Sequence, residues 1–131
     1  MEWRKEDYSD LPFDVSKHSE ALKSHAAMNL STQSLRPVLR VRELIFFRVP
    51  FCRFRIGTTK NPDLQQKIES DGGSLAFETL FYADSTSEAT RVQREVESYF
   101  LRHFPGRTLA DEKEIAAGDA VYVACYPPAG E

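Results

Sequence analysis

The sequence predicts an α+β fold: a small, mainly antiparallel sheet flanked by helices in the order β-β-α-β-α-β, with a helical extension at the N-terminus. Three observations carry this expectation. Apolar and polar residues alternate with period two through 40–49, 51–56, 75–83 and 120–126, as strands with one buried face require. Apolar residues recur at helical spacing through 15–28 and 89–104, and start and stop signals separate the two patterns. At 131 residues the chain holds one domain with one modest core. We place an N-terminal arm and helix at 1–35, the α/β domain at 36–126 and a loose tail at 127–131.

The elements follow in order. Residues 1–13 are too charged for a core element, yet Trp3, Tyr8, Leu11, Pro12 and Phe13 supply anchors that dock an arm. Asp14 suits an N-cap, and Val15, His18, Leu22, His25 and Met28 continue as a helical stripe to about Leu30. His18 and His25 stand two turns apart, roughly 10 Å along the axis, too far to share a metal from one helix, and read as amphipathic residues at a core margin. A polar link through Ser34 closes at Pro37. Arg40–Val49 and Phe51–Ile56 then read as an antiparallel strand pair turning at Pro50.

Within the second strand Phe54 and Ile56 face one side and Arg53 and Arg55 the other. Gly57 supplies a turn where a β-carbon would obstruct. Asn61-Pro62 is an N-cap followed by the residue best suited to the first helical position. The helix that follows puts Leu64 and Ile68 on its inner face and stops at Asp71-Gly72-Gly73. A strand over 75–83 leads to Ser85-Thr86-Ser87-Glu88, a capping box. The helix it opens runs to His103 and buries Ala89, Val92, Val96, Tyr99 and Phe100, with Leu101 and Phe104 widening the arc. Glu97 projects inside that arc and must meet a cation, a donor or a metal, whereas Glu95 points to solvent. His103 suits the helix C-terminus. After a short helical turn at Asp111–Ile115, the strand 120–126 ends the domain.

Composition narrows the function. Hydrophobic residues at 41% and charged residues at 28% are ordinary globular values, and no apolar run approaches the ~20 residues of a membrane span. The charged N-terminus is no secretory signal, so an intracellular protein without a membrane role is expected. Cys52 and Cys125, the only two cysteines, are expected as free buried thiols, and their spacing excludes a zinc finger or ribbon. The net charge of −3 is unevenly spread. Arg36, Arg40, Arg42, Arg48, Arg53, Arg55 and Lys60 face the single acid Glu43 between residues 36 and 60, leaving 10 basic and 19 acidic residues elsewhere. Such a cationic face on an acidic body suits a polyanion; the same arginines also serve as solvated strand edges.

The stretch Phe54-Arg55-Ile56-Gly57-Thr58-Thr59-Lys60-Asn61-Pro62, set in this element order, resembles the GIY-YIG nuclease superfamily over about 43–126, in particular its phage-associated branch whose second motif reads K-I-G-x-T. Arg55-Ile56-Gly57, Thr59 and Asn61-Pro62 match that motif. The first motif falls at Leu44-Ile45-Phe46-Phe47, and Glu97-Ser98-Tyr99-Phe100 matches the setting of the family's metal-binding glutamate. The resemblance implies phosphodiester cleavage, with a tyrosine or activated water as nucleophile, an arginine on the developing phosphate charge and Mg²⁺ or Mn²⁺ on Glu97. This sequence departs at both reactive places. Gln65 stands where the arginine belongs, and Phe46, Phe47, Phe54 and Arg55 stand in place of the motif tyrosines. Loss of an oxyanion-stabilising donor alone costs ~10²–10³ in rate.

The resemblance therefore implies a degenerate domain with Glu97, Gln65 and Arg55 at the former catalytic positions and no required cofactor. It binds DNA or RNA through Arg42, Arg48, Arg53, Arg55 and Lys60. Two rivals stand beside it: an active divalent-metal endonuclease with Mg²⁺ or Mn²⁺ on Glu97, and a protein-interaction or self-assembly module that keeps only the fold.

Overall fold

Between Thr32 and Arg48 the chain is helical, not extended. In the computed structural model, which describes residues 11–18, 30–109 and 118–128, α1 spans Thr32–Glu43 and continues as a π-helical turn over Leu44–Arg48. The expected strand at Arg40–Val49, its pairing with 51–56 and the first-motif strand at Leu44–Phe47 are therefore corrected. The buried set Leu35, Val38, Leu39, Arg42 and Ile45 has the spacing of one helix face. Val41 and Leu44 are buried too, and Val41, Ile45, Phe47 and Val49 fall on alternate positions, which is what made a short stretch look alternating. The π turn closes with Val49 N–H donating to Leu44 O at 2.7 Å, and Pro37 sits inside α1 rather than before it.

After the turn at Pro50-Phe51 come β1 (Arg53–Thr59), α2 (Pro62–Asp71), β2 (Ala76–Tyr82), α3 (Thr86–His103), β3 (Thr108–Leu109) and β4 (Ala120–Tyr126). The fold is α+β, with three helices and a four-stranded mixed sheet in the order β2-β4-β1-β3. β4 runs antiparallel to both β1 and β2, and β3 runs parallel to β1. The path β1–α2–β2 crosses β4 in one direction and β2–α3–β3 returns in the other. With α2 and α3 on opposite faces, the two crossovers share one hand.

The core lies between the sheet and the α1–α3 layer. Phe54 and Ile56 of β1, Val121, Val123 and Cys125 of β4 and the α3 stripe Ala89, Val92, Val96, Tyr99 and Phe100 are buried together. Phe54 meets Phe100 edge-on with centroids 5.2 Å apart. This α3 face is the one the periodicity predicts. Ser85 caps the helix by accepting Glu88 N–H at 3.2 Å, and Leu101 stays exposed. Glu95 is not free in solvent: it accepts Ser31 N–H at 2.6 Å, at the start of α1, and the Arg91 guanidinium at 2.9 Å. A bulge between Thr79 and Phe81 shifts the β2 register, so Phe81 pairs with Val121 and joins the core side.

Leu11 and Phe13 pack on the core, as docked anchors should. Asp14 accepts Ser16 N–H at 3.0 Å at the start of a 3₁₀ turn over Val15–His18. The rest of the expected first helix, the arm at 1–10, the turn at Asp111–Ile115 and the tail beyond 128 lie outside the described residues. No helix among the described residues is long and apolar enough to cross a membrane.

Candidate functional site

Alternation along β1 turns Arg53, Arg55, Gly57 and Thr59 toward α2, away from the core. The register sets Gly57 opposite Tyr122, Arg55 opposite Ala124 and Arg53 opposite Tyr126, so two tyrosines of β4 share this face with a small residue between them. Gly57 lies inside β1 and makes no turn; its role is close approach. A β-carbon there would stand 2.7 Å from Tyr122 Cζ and Oη. The Tyr122 ring is held from its other side by Phe77, stacked at 5.1 Å and 21°.

α2 presents its polar side to this face. Asn61 accepts Leu64 N–H at 3.2 Å and Pro62 takes the first helical position, as predicted, while Thr59 Oγ1 accepts Asn61 N–H at 3.3 Å. The inner face is not the predicted one: Leu64 and Ile68 are 54% and 51% exposed, and Gln65 and Glu69 are buried instead. The cause is Arg55. Its guanidinium Nη2 pairs with Glu69 Oε1 and donates to Tyr126 Oη at 3.1 Å. Tyr126 Oη donates to Glu69 Oε2, and Gln65 Nε2 donates to Glu69 Oε1 at 2.8 Å. An arginine only 20% exposed needs a partner, and the 5%-exposed carboxylate of Glu69 outranks leucine for that place.

The electrostatics are mutual. Burial opposes the Arg55 charge, but the oxygens of Tyr122, Tyr126 and Glu69 outweigh it and hold the guanidinium above its ordinary value. Burial, and the hydrogen bond to Glu69, push the Tyr126 hydroxyl up. The cluster is thus an arginine, a phenol and an amide converging on one carboxylate.

The other expected site residues scatter. Glu97 lies on α3, on the face of the sheet opposite Arg55. Gln93 Nε2 donates to it at 3.4 Å and to Ile56 O at 3.1 Å. Arg42 is buried in the α1–α3 layer, donating to Tyr99 Oη at 3.0 Å and His18 Nδ1 at 3.4 Å beneath the Phe46 ring. Arg53 donates to Pro127 O at 2.9 Å, and Arg48 and Lys60 are exposed. A single basic strand pair does not form, because Arg42 and Arg48 are helical. Gln65 and Arg55 do come together, through Glu69, without Glu97. Among the described residues no three Asp, Glu, His or Cys side chains gather closely enough to hold one metal ion.

Sequence reasoning missed Glu69, Tyr122 and Tyr126. The signal available was spacing: Tyr122 and Tyr126 are four apart in a period-two strand, and Glu69 is one helical turn past Gln65. Away from this face, Cys52 and Cys125 are free and buried. The neighbouring Cys125 and Arg107 lower the Cys52 thiol against its burial, while Cys52 and burial push the Cys125 thiol up. Arg107 also donates to Cys52 O at 2.8 Å and Ile45 O at 3.0 Å. Compared with family models, curated proteins and solved structures, the chain matches none.

Proposed function

We propose that this domain binds the phosphate backbone of a nucleic acid along the α2 side of β1, through Arg53, Arg55 and Lys60, and does not cleave it. The observation that supports the reading is the placement of Arg53 and Arg55 at consecutive same-face positions of β1, bordered by the tyrosines of β4. Lys60 follows where that strand leads into α2. Guanidinium groups with fixed planes suit phosphate oxygens. Two arrangements favour binding without cleavage: Gln65 donates to Glu69, and Glu97 lies across the sheet. The resemblance of the strand-to-helix stretch from Phe54 to Pro62 to GIY-YIG nucleases supports the same proposal.

The test is a salt titration of binding to short single-stranded and duplex oligonucleotides by fluorescence anisotropy. Three phosphate contacts predict a slope of log K on log salt of about −2.7 for duplex and about −2.1 for single strands, falling by roughly one contact in Arg55→Gln. A flat slope, or one unchanged in Arg55→Gln, refutes the reading. Plasmid digestion with Mg²⁺ or Mn²⁺ that is lost in Tyr122→Phe would overturn the non-cleaving part.

A further inference from the structure

Three donors of this face converge on Glu69. Oε1 receives Arg55 and Gln65, and Oε2 receives Tyr126. A planar carboxylate that takes a guanidinium, an amide and a phenol at once fills the place that the oxygens of a phosphate or another oxyanion would take. Its position on α2 works against it. Glu69 lies in the last turn of the helix, where the macrodipole disfavours negative charge, and that turn has no basic residue. The turn ends immediately in a glycine stop, with Gly73 at φ +94° and Ser74 N–H returning to Glu69 O at 2.9 Å. Arg55 is what keeps the carboxylate in place, and a stronger anion competes for the same guanidinium.

We propose that Arg55, Gln65 and Tyr126 form an oxyanion receptor that Glu69 occupies in cis, so that Glu69 is an autoinhibitory gate which a phosphate group must displace. This rests on the phosphate-binding reading of the same face and adds what regulates it. A ligand that binds only the open form has its affinity reduced by the open fraction. For a minor state populated at 0.1–10%, removing the gate tightens binding by about 10-fold to 10³-fold.

The experiment compares the wild-type chain with Glu69→Gln, Glu69→Ala and the double variant Arg55→Gln/Glu69→Gln. The probes are inorganic pyrophosphate and a single-stranded oligonucleotide, with folding checked by circular dichroism. Glu69→Gln keeps the shape and removes the competing charge, and is expected to bind both probes at least about tenfold more tightly. The double variant is expected to lose the gain. Glu69→Ala, which removes the carboxylate and leaves all three donors of the receptor in place, should move in the same direction and stands in for Glu69→Gln if that variant does not fold. Affinity in the single variants equal to or below wild type for both probes overturns the gate. If wild-type oligonucleotide binding depends on Arg55 in that case, the phosphate-binding reading survives it. Arg55-dependent pyrophosphate binding by Glu69→Gln with no oligonucleotide binding in any variant supports the receptor and removes the nucleic-acid reading. A gain that persists in the double variant overturns the receptor.

Discussion

Replacing Gly57 with alanine tests whether β1 and β4 are locked by the Tyr122 ring. The new methyl carbon would lie 2.7 Å from Cζ and Oη of Tyr122 and 2.9 Å from Cε1, about 0.8 Å inside the ~3.5 Å at which carbon atoms rest. A tyrosine tip at the surface would swing aside. This one is fully buried and stacked on Phe77, so the overlap must be relieved by moving the strand or unstacking the rings. Overpacking of this kind costs about 1–3 kcal/mol, or roughly 4 °C in Tm per kcal/mol at this chain length. The assay is urea denaturation of Gly57→Ala, Tyr122→Leu and the double variant. Once the ring tip is gone, alanine in a strand interior is favoured over glycine by about 0.5–1 kcal/mol, so the effect of Gly57→Ala should change sign in the Tyr122→Leu background. An equal cost in both backgrounds would refute the close-approach argument.

Other outcomes follow from single contacts. Asn61→Ala removes the cap on Leu64 N–H and should cost about 1 kcal/mol, read as a shift in urea midpoint with unchanged slope; a shift near zero would mean that the fixed backbone of Pro62 sets the helix start alone. His18 is buried between Arg42, which donates to Nδ1, and Glu43, which accepts from Nε2, and burial lowers its pKa against the Glu43 hydrogen bond. The unfolded chain therefore takes the proton first. The contribution of His18 is full above the ordinary value of about 6.5 and is lost as pH falls through the lower folded value. Stability measured from pH 7.5 down to 5 should decline more steeply in the wild type than in His18→Gln, and parallel declines would remove His18 as the source. Arg107→Met strands the carbonyls of Cys52 and Ile45, with an expected loss of about 2–4 kcal/mol. It should also raise the Cys52 pKa, checked by the pH profile of thiol alkylation; an unmoved profile would show that Cys125 alone holds the proton balance.

Legibility in the sequence tracked distance along the chain. The start of α2 at Asn61-Pro62, its stop at Gly72-Gly73, the Ser85 cap of α3 and the five-residue buried face of α3 were all readable, since each is decided within one or two turns. The stretch 40–48 was not. Val41 and Ile45, four apart, satisfy both a period of 2 and a period of 3.6 over so few residues, and the packing of α1 against α3 chose the helix. α2 was readable as a helix but not in its rotation, because the greasier side, Leu64 and Ile68, is not the side that meets the sheet. Thr108-Leu109 is too short for any periodicity, and it becomes a strand only because Phe54 and Arg55 lie beside it.

The site divides the same way. Arg55, Gly57, Thr59, Asn61 and Pro62 could be singled out as one unit because they are neighbours in sequence. Gln65 could be marked by its offset, though its partner could not. The sequence alone determined the fold class, the strand-to-helix stretch from Phe54 to Pro62 and the caps and buried face of α3, through propensities and hydrogen bonds that act locally. Only the tertiary structure decided that β4 inserts between β1 and β2, bringing Tyr122 to Gly57 and Tyr126 to Arg55. It likewise decided that Glu97 falls on the other face and that Glu69 turns inward. Strand pairing and the neutralisation of a buried charge join residues that are far apart in the chain, and their energies exist only once both partners have arrived.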